Sequence, residues 1–455
     1  MREGRLVVVG GSAAGMSAAA RAKRRRPEWE VVVLERGPHI SYSACGLPYY
    51  ISGEVKRPDE LVVLTPERVR KERGIEALVR HEVVEVQPSR RLVIALDLET
   101  SQERAFSYDK LVLAMGGAPK VPEVPGVDLK WVFRVRDLQD GIGLQEYIER
   151  ENPRRAVVVG GGYIGLEMAD AFRRRGIHVT VVEQADQVLG MLDPDVAALV
   201  EEELARREIR VVKSAEMVRL EGDSEGRFCA VHLKDHVERY WADFALLAVG
   251  VQPEVELARS CGVAIGPTGA ISVSPKMETN LPNVYAAGDC TEARHVVTGR
   301  PAYIPLGTTA NKQGRVAGEN AVGGFRVFRG VAGTAVVKVG DLEVARTGLS
   351  TKEAEEAGFQ VVSKNIIARS RAGYYPGGYP LTVKVIAEKG SGRLLGAQLV
   401  GREGVALRVN VFAAALSARM TVEEVGQMDL AYAPPFSPVW DPILIAANEA
   451  LKLVR

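Results

Sequence analysis

The chain has 455 residues, a formal net charge of +1 and 46% hydrophobic residues. This length is enough for about three domains with large apolar cores, and the balanced charge argues against a nucleic-acid-binding surface. The sequence runs from Met-Arg-Glu-Gly straight into an apolar strand and contains no long apolar run, so we expect neither a secretory signal nor a membrane span.

The cysteine content favours free thiols over cross-links. Cys45, Cys229, Cys261 and Cys290 are too few and too widely spaced for a disulfide framework or a zinc site, and no metal is expected. A free thiol persists in a reducing compartment, so the sequence predicts a cytoplasmic protein. Cys45 stands in a loop flanked by glycine and proline, which favours a functional thiol, whereas the other three are expected to be inert.

The first predicted unit is RLVVVGGSAAGMSAAARAKRRR followed by EVVVLER. It reads as a buried strand, a glycine-rich turn, an amphipathic helix and a second buried strand, which is half of a doubly wound dinucleotide-binding fold. The helix N-terminus is expected to meet a pyrophosphate, and the acid after the second strand to bond a ribose 2′-OH. Ser12 replaces the middle glycine of the turn. The predicted cofactor contacts of this unit are Gly10, Ser12, Ala14, Gly15, Glu35 and Arg36.

The second unit, RAVVVGGGYIGLEMADAFRRRG followed by HVTVVEQ, repeats the same pattern. All three glycines of the fingerprint are present here, and Glu183 is the acid that follows the second strand. Two such units, each in a strand–turn–helix context, form a much stronger indication than one glycine-rich turn alone. The predicted cofactor contacts of this unit are Gly160, Gly162, Tyr163, Ile164, Gly165, Glu167 and Glu183.

Segments punctuated by glycine and proline flank the second unit, at residues 111–126 and 246–257, and they suggest that it is inserted into the first domain. The stretch TNLPNVYAAGDCTEA reads as a strand that ends at Gly288 and Asp289. These two residues and Ala114 are further predicted cofactor contacts.

After about residue 328 the sequence contains several strand patterns, a hairpin at KGSG and a helix over about 404–419. Together they predict an α+β domain.

The predicted fold class is therefore α/β, with two Rossmann-like dinucleotide-binding domains, the second inserted in the first, and a C-terminal α+β domain. The first domain is predicted at residues 1–112 and 247–327, the inserted domain at 113–246, and the C-terminal domain at 328–455.

Over essentially residues 4–455 the chain resembles the flavoprotein disulfide reductases that carry two dinucleotide-binding domains. The SYSAC stretch at residues 41–45 is similar to the Ser-Phe-x-x-Cys motif of the coenzyme A-disulfide reductases, with Tyr42 in place of Phe. The resemblance implies FAD in the first domain, with Asp289 at its ribityl and phosphate region, and NADH, possibly NADPH, in the second. It further implies coenzyme A as a ligand and a homodimer formed through the third domain.

Three details distinguish the branches of this family. Tyr50 stands where a two-cysteine reductase would place its second cysteine, so the chain resembles the single-cysteine branch of coenzyme A-disulfide reductases, persulfide reductases, NADH oxidases and NADH peroxidases. Ala13 stands where NADH peroxidases and many NADH oxidases carry a histidine. No histidine follows His295, so the acid/base histidine of glutathione-reductase-type enzymes has no counterpart here.

The resemblance also implies which residues act in catalysis. Cys45 is implied to form a mixed disulfide with coenzyme A. The stretches SRAGYYPGG (370–378) and DLAYAPPFSP (429–438) resemble tyrosine motifs of the coenzyme A-disulfide reductases, so Tyr374 and Tyr432 are implied as catalytic residues supplied by the partner subunit. Tyr375 is an alternative to Tyr374, and packing beside proline-rich turns is the alternative role for these tyrosines.

Binding of coenzyme A phosphates calls for cations. The RAKRRR run ends the first helix and has a plain alternative as a solvated helix terminus, but Arg21 is favoured as a phosphate ligand. The predicted coenzyme A contacts are Arg21, Ser41, Lys312 and Arg315. Lys312 and Arg315 would come from the partner subunit. Ser41 is also a predicted cofactor contact.

The resemblance implies that Tyr163 covers the nicotinamide pocket and that Glu167 lies near the flavin. The alternative is that both are ordinary residues at the start of a helix.

The leading prediction is an FAD-dependent NAD(P)H oxidoreductase that reduces coenzyme A disulfide, persulfide or polysulfide. One alternative is an NADH oxidase in which Cys45 cycles through sulfenic acid. Another is an electron-transfer reductase of a small iron–sulfur protein, which needs neither Cys45 nor the tyrosines. Glu183 would repel a 2′-phosphate and residues 184–186 contain no arginine, so NADH is expected to be preferred over NADPH.

Overall fold

The computed structural model describes residues 4–454 and consists of three α/β or α+β units. The first stretch of chain holds β1 Arg5–Val9, α1 Ala13–Arg25, β2 Glu30–Leu34, α2 Leu47–Ile51, α3 Pro66–Arg73, β3 Glu76–Leu78, β4 His81–Gln87, β5 Leu92–Asp97, β6 Gln102–Ser107, β7 Lys110–Leu113 and β8 Gly117–Pro119.

The second stretch contains the inserted unit. Its elements are β9 Val132–Phe133, α4 Leu138–Glu151, β10 Arg155–Val159, α5 Tyr163–Arg174, β11 His178–Val182, α6 Pro194–Arg206, β12 Arg210–Val212, β13 Met217–Gly222, β14 Phe228–Leu233, β15 Tyr240–Trp241, β16 Phe244–Leu247 and β17 Val251–Pro253.

The remaining elements complete the first unit and form the third. They are α7 Glu256–Ser260, β18 Val284–Ala286, β19 Ala293–Arg294, β20 Pro301–Ala302, α8 Gly307–Ala321, β21 Ala335–Val339, β22 Leu342–Gly348, α9 Thr351–Glu356, β23 Val361–Arg369, β24 Pro380–Glu388, β25 Leu394–Gly401, α10 Val405–Ala418, α11 Val422–Gly426 and α12 Pro442–Val454.

Two parallel five-stranded sheets confirm the doubly wound prediction. The first has the order β18-β7-β1-β2-β3 and the second has the order β12-β11-β10-β16-β9. Strand β18 pairs with β7 although the inserted unit separates them in sequence. The first sheet is therefore completed only after the chain has passed through the inserted unit and returned to the first domain. The outgoing and returning segments pair with each other as antiparallel β8 and β17. The second domain is therefore inserted in the first, as predicted.

The third unit is an antiparallel sheet of order β21-β22-β25-β24-β23 with helices packed on it. The predicted KGSG hairpin joins β24 and β25, and the helix expected over about 404–419 is α10. The strand predicted to reach Gly288 and Asp289 is shorter and ends at Ala286, because the chain turns at Gly288 with a φ of +89°. Two small antiparallel sheets, β4-β5-β6 and β13-β14-β15, were not predicted.

Helices α1 and α8 pack so closely that their backbones are almost in contact. A Cβ on Gly314 would lie 2.1 Å from the carbonyl oxygen of Ala14, and one on Gly318 the same distance from that of Ala18. Glycine is therefore required at both positions of α8, and this contact fixes α8 beside the first glycine-rich turn. Among the described residues no helix is long and apolar enough to cross a lipid bilayer.

Candidate active site

The first glycine-rich turn has the tight geometry that its fingerprint predicts. Gly10 has a φ of +100°, and a Cβ there would lie 2.2 Å from the carbonyl oxygen of Ala114. A Cβ on Gly15 would lie 1.8 Å from the oxygen of Gly10, so helix α1 could not start at this place with any other residue. The predicted contact Ser41 is tied to the same turn, because its N–H donates to the carbonyl of Gly11 at 2.9 Å.

A cavity of about 520 Å³ opens beside this turn. Helix α1 points its N-terminus at the cavity, and glycine backbone without side chains forms part of its wall, so the cavity fits the pyrophosphate and sugars of a dinucleotide such as FAD. The predicted cofactor residues that line it are Gly10, Ser12, Ala14, Glu35, Arg36, Ala114, Gly288 and Asp289.

Several lining residues were missed by the sequence analysis. His39, Tyr42 and His81 come from loops and a strand of the first domain, whereas Arg136 and Gln139 come from the start of the inserted domain. Gln139 lies 3.1 Å from a ring nitrogen of His39 and so joins the two domains at the cavity. Tyr42 belongs to the SYSAC stretch, but no sequence motif marks the other residues. Arg136 and Gln139 reach the first domain only because the second domain is inserted in it.

Both predicted ribose acids are held in place by backbone N–H groups. Glu35 accepts from the N–H groups of Gly11 and Gly37 at 2.6 and 2.7 Å. Glu183 accepts from Gly161 and Ala185 at 2.6 and 2.8 Å, with the same geometry in the second domain. Each carboxylate still has free lone pairs, so a sugar hydroxyl can be bound in addition. The ribose contacts themselves stay a prediction.

Cys45 lies in a single 3₁₀ turn over Ala44–Gly46, immediately before α2. Its side chain is exposed, yet the protein around the sulfur desolvates it, and this is the largest cause of its raised pKa; the carboxylates of Glu167 and Asp289 raise the pKa further. Tyr50, in the position of a second cysteine, is 8% exposed and packs in the apolar core. Of the described residues near this turn, Cys45 is thus the one that offers an exposed sulfur.

The second glycine-rich turn places Glu167 close to Cys45. Gly160 has a φ of +109°, and a Cβ on Gly165 would lie 1.9 Å from the Gly160 oxygen, so α5 starts as tightly as α1 does. One turn into α5, Glu167 lines a small cleft with Pro48 and Tyr49 of α2. Burial raises the pKa of Glu167 to about 7. At neutral pH this carboxyl group therefore carries a fractional charge that acts on Cys45.

We expect that replacing Glu167 with glutamine will shift the alkylation of Cys45 to lower pH. Ionised Glu167 raises the pKa of the Cys45 thiol, and glutamine keeps the size of the side chain but cannot ionise, so the thiolate forms earlier. The measurement is the rate of iodoacetamide modification of the Cys45 peptide as a function of pH.

Glu54→Gln is the matched control for this experiment, because Glu54 lines the same cleft but is not among the groups that shift the pKa of Cys45. The pH profile of Cys45 alkylation in Glu54→Gln should follow that of the protein without substitutions. An unchanged profile for Glu167→Gln, or one displaced to higher pH, would contradict the assignment.

Tyr163 and Ile164 begin α5 and differ in exposure. Ile164 is an exposed apolar side chain. The Tyr163 hydroxyl is buried and has no hydrogen-bond partner within residues 4–454. Burial raises its pKa to about 12, with Arg346 of the C-terminal domain opposing the rise and Glu353 adding to it. Tyr163 therefore reaches from the second fingerprint toward the third domain.

The two predicted catalytic tyrosines meet at the surface of the C-terminal domain. The hydroxyl oxygens of Tyr374 and Tyr432 are 3.1 Å apart, although the residues are 58 positions apart in sequence. The two side chains are 77% and 44% exposed, and the hydrogen bond between the two hydroxyl groups raises the pKa of Tyr432. The hydroxyl pair is formed by Tyr374, whereas Tyr375 is half-buried beside it.

Exposed apolar side chains also occur on α10 and in the segment that follows Tyr432. Leu407, Phe436, Val439 and Trp440 are each at least 61% exposed. Neither tyrosine lines the cavity beside Ala44 in the same chain. An apolar surface of this kind is typical of a protein–protein interface.

The predicted coenzyme A cations have different surroundings. Arg21 is held by the buried Glu319, with its Nε and Nη2 atoms at 2.7 and 2.5 Å from the same carboxylate oxygen. It is therefore less available to a phosphate than the sequence suggested. Lys312 and Arg315 are exposed on α8. Phosphate binding by any of the three stays a prediction.

Comparison with known proteins agrees with this architecture. The family model described as pyridine nucleotide-disulphide oxidoreductase matches residues 4–314. The model of the dimerisation domain of the same family matches residues 334–442.

The chain is similar over nearly its whole length to several named relatives. It is 40% identical over 445 residues to the NAD(P)H coenzyme A polysulfide/persulfide reductase of Pyrococcus horikoshii, covering 98% of each chain. It is 38% identical over 449 residues to the NADH oxidase of Methanocaldococcus jannaschii, covering 98% of this chain and 99% of that one. The crystal structure of reduced Bacillus anthracis CoADR-RHD superimposes with a TM-score of 0.97 at 38% identity, over 100% of this chain and 81% of that chain.

Proposed function

The chain belongs to the pyridine nucleotide-disulphide oxidoreductase family, and from this premise we propose that it reduces coenzyme A disulfide, persulfide or polysulfide with electrons from NAD(P)H. The observation that carries the proposal is the single exposed Cys45 near the dinucleotide cavity, with buried Tyr50 in the place of a second cysteine. A disulfide exchange with only one protein sulfur needs an external thiol as the second partner. Coenzyme A, which appears in the name of the relative from Pyrococcus, fits that role.

The chemistry at Cys45 is ordinary thiol–disulfide exchange. The Cys45 thiolate attacks one sulfur of coenzyme A disulfide, a Cys45–coenzyme A disulfide forms, and one coenzyme A thiolate leaves and takes up a proton. With coenzyme A persulfide the same attack expels hydrosulfide. FAD, for which the cavity beside the first glycine-rich turn is suited, would supply the redox chemistry by which two electrons from NAD(P)H reduce the mixed disulfide, and this reduction releases the second coenzyme A thiol and restores Cys45.

The tyrosine pair is suited to supply the proton for the leaving thiolate. Tyr374 and Tyr432 are exposed and joined by a hydrogen bond, and the segment that follows Tyr432 exposes further apolar side chains. We assign them to the Cys45 site of the partner subunit in a homodimer formed through the dimerisation domain. A tyrosine hydroxyl that donates a hydrogen bond to the departing sulfur stabilises the charge that develops there. The reducing conditions that keep Cys45 free make the cytoplasm the expected location.

Intact-mass measurement of the denatured, unreduced protein tests the proposal directly. We expect a major species heavier by one coenzyme A moiety, which disappears after treatment with dithiothreitol. The control is Cys45→Ser, which should show no adduct under any condition. A protein that is incubated with coenzyme A disulfide and still shows no adduct at Cys45 would contradict the proposed function.

An NADH oxidase is the second candidate, because the relative from Methanocaldococcus carries that name. In that reaction oxygen is the acceptor and Cys45 would cycle through sulfenic acid. Ala13 weakens this candidate, since it offers no side chain for acid–base chemistry at the first turn. Oxygen consumption at least as fast as coenzyme A disulfide reduction would favour the oxidase. A reductase of an iron–sulfur protein would use neither the exposed Cys45 nor the tyrosine pair.

A further inference from the structure

The structure places a cation beside the acid that is expected to bind the nucleotide ribose. Strands β11 and β12 are parallel, and Val182 is paired with Val212. Glu183 and Lys213 directly follow these two strands, and the N–H of Glu183 donates to the Val212 carbonyl at 2.8 Å. Because registered neighbours in a sheet point to the same face, Lys213 lies next to Glu183 at the edge of the sheet where the second fingerprint ends.

The chain after Lys213 folds back against the loop that follows Glu183. Ser214 has a φ of +49°, and its N–H donates to the carbonyl of Ala185 at 2.8 Å. The N–H of Ala215 donates to the carbonyl of Glu183 at 3.0 Å. These bonds fix the end of β12 along the Glu183 loop, so Lys213 is held on the nucleotide side of the domain.

A carboxylate on α6 binds the ammonium of Lys213. The Lys213 Nζ atom is 2.7 Å from Glu201 Oε2, and the two side chains are 38% and 23% exposed. The other oxygen of Glu201 accepts from the N–H of Val188 at 3.3 Å. A Cβ on Gly161 would meet both Val188 and the Glu183 carboxylate, at 3.0 and 3.1 Å, so the Glu201–Lys213 pair adjoins the second glycine-rich turn.

We propose that Lys213 recognises the 2′ substituent of the nicotinamide dinucleotide and that Glu201 limits this recognition. With a 2′-hydroxyl, Glu183 binds the ribose and Lys213 stays on Glu201. With a 2′-phosphate, Lys213 leaves Glu201 and pairs with the phosphate, which partly offsets the repulsion from Glu183. The protein therefore uses NADH by preference and accepts NADPH as a second donor. This inference rests on the proposed function only for its choice of NAD(P)H as electron donor, which the family shares.

Direct binding separates this inference from the proposed reaction, because it involves no coenzyme A chemistry. The probes are ADP and adenosine 2′,5′-bisphosphate, titrated into the FAD-loaded dimer by calorimetry. Adenosine 3′,5′-bisphosphate serves as the control for binding at a coenzyme A site. These titrations test the role of Lys213 whether or not the intact-mass experiment detects a coenzyme A adduct on Cys45.

Lys213→Met is expected to weaken binding of adenosine 2′,5′-bisphosphate about tenfold, as for loss of one charge-assisted hydrogen bond. Binding of ADP should not change, because methionine keeps the apolar stem and removes only the charge. Glu201→Gln keeps an acceptor for the N–H of Val188 and frees Lys213, so it should strengthen binding of adenosine 2′,5′-bisphosphate selectively. The ratio of kcat/KM for NADPH to that for NADH should move in the same directions.

Lys213→Arg is the conservative control and should retain most of the affinity for the 2′-phosphate probe. The inference is overturned if Lys213→Met changes the dissociation constants of both probes by the same factor, or changes neither of them. Weaker binding of adenosine 2′,5′-bisphosphate by Glu201→Gln would overturn it as well. Equal FAD content and melting temperature across the variants show that the domain remains folded.

Discussion

Replacement of Cys45 by serine is expected to abolish the reduction of coenzyme A disulfide while the protein still binds FAD and NADH still reduces it. Serine preserves the size and polarity of the side chain in the Ala44–Gly46 turn, so the cavity is unchanged. It removes the sulfur on which the mixed disulfide forms. Turnover should fall by roughly three orders of magnitude or more, because loss of the nucleophile closes the covalent route.

Two measurements on this variant separate the two halves of the reaction. Anaerobic NADH should bleach the flavin absorbance at close to the normal rate, whereas steady-state production of coenzyme A thiol should stop. Long-wavelength absorbance from a thiolate next to oxidised flavin should also be lost. Cys261→Ser is the matched control, since Cys261 is a partly exposed thiol that donates to the carbonyl of Ala258 outside the cavity. Near-normal coenzyme A disulfide reduction by Cys45→Ser would refute the role of Cys45.

Much of the fold was predictable because a few positions admit only one residue type. Gly10, Gly15 and Gly165 have backbone or neighbouring oxygens within about 2 Å of where a Cβ would stand, so the fingerprint in the sequence is a direct record of the backbone. The insertion of the second domain was predictable as well, since glycine- and proline-rich crossings flank it on both sides. The confirmed fold thus follows from local constraints.

The side-chain partners were less predictable, because they depend on contacts between distant parts of the chain. Arg21 appeared free as part of a basic run, but Glu319, 298 residues away, binds it. The wall of the cavity at Arg136 and Gln139 comes from the inserted domain. Residues 184–186 contain no arginine, but the pairing of β11 with β12 brings Lys213 close to Glu183 from the next strand.

A hybrid dimer that carries Cys45→Ser in one chain and Tyr432→Phe in the other is expected to regain about half of the normal activity. Each variant alone should be impaired, Cys45→Ser completely and Tyr432→Phe by about 10²-fold in kcat, as for loss of a general acid. If each site combines Cys45 of one chain with Tyr432 of its partner, one site of the hybrid has both normal residues and the other has neither. Co-expression with two affinity tags and tandem purification yields the hybrid for assay.

The mirror-image hybrid is the control, and the two arrangements predict opposite results for it. It pairs an unmodified chain with a chain that carries both Cys45→Ser and Tyr432→Phe. If the site is shared between subunits, one site carries only the Tyr432→Phe change and the other only the Cys45→Ser change, so activity should be about half that of the Tyr432→Phe homodimer. If Cys45 and Tyr432 act within one chain, the unmodified chain stays fully active and the dimer keeps half of its activity. The Tyr374–Tyr432 pair is exposed and does not line the cavity beside Ala44 of its own chain, and this favours the shared site. Recovery in the mirror-image hybrid without recovery in the first would refute it.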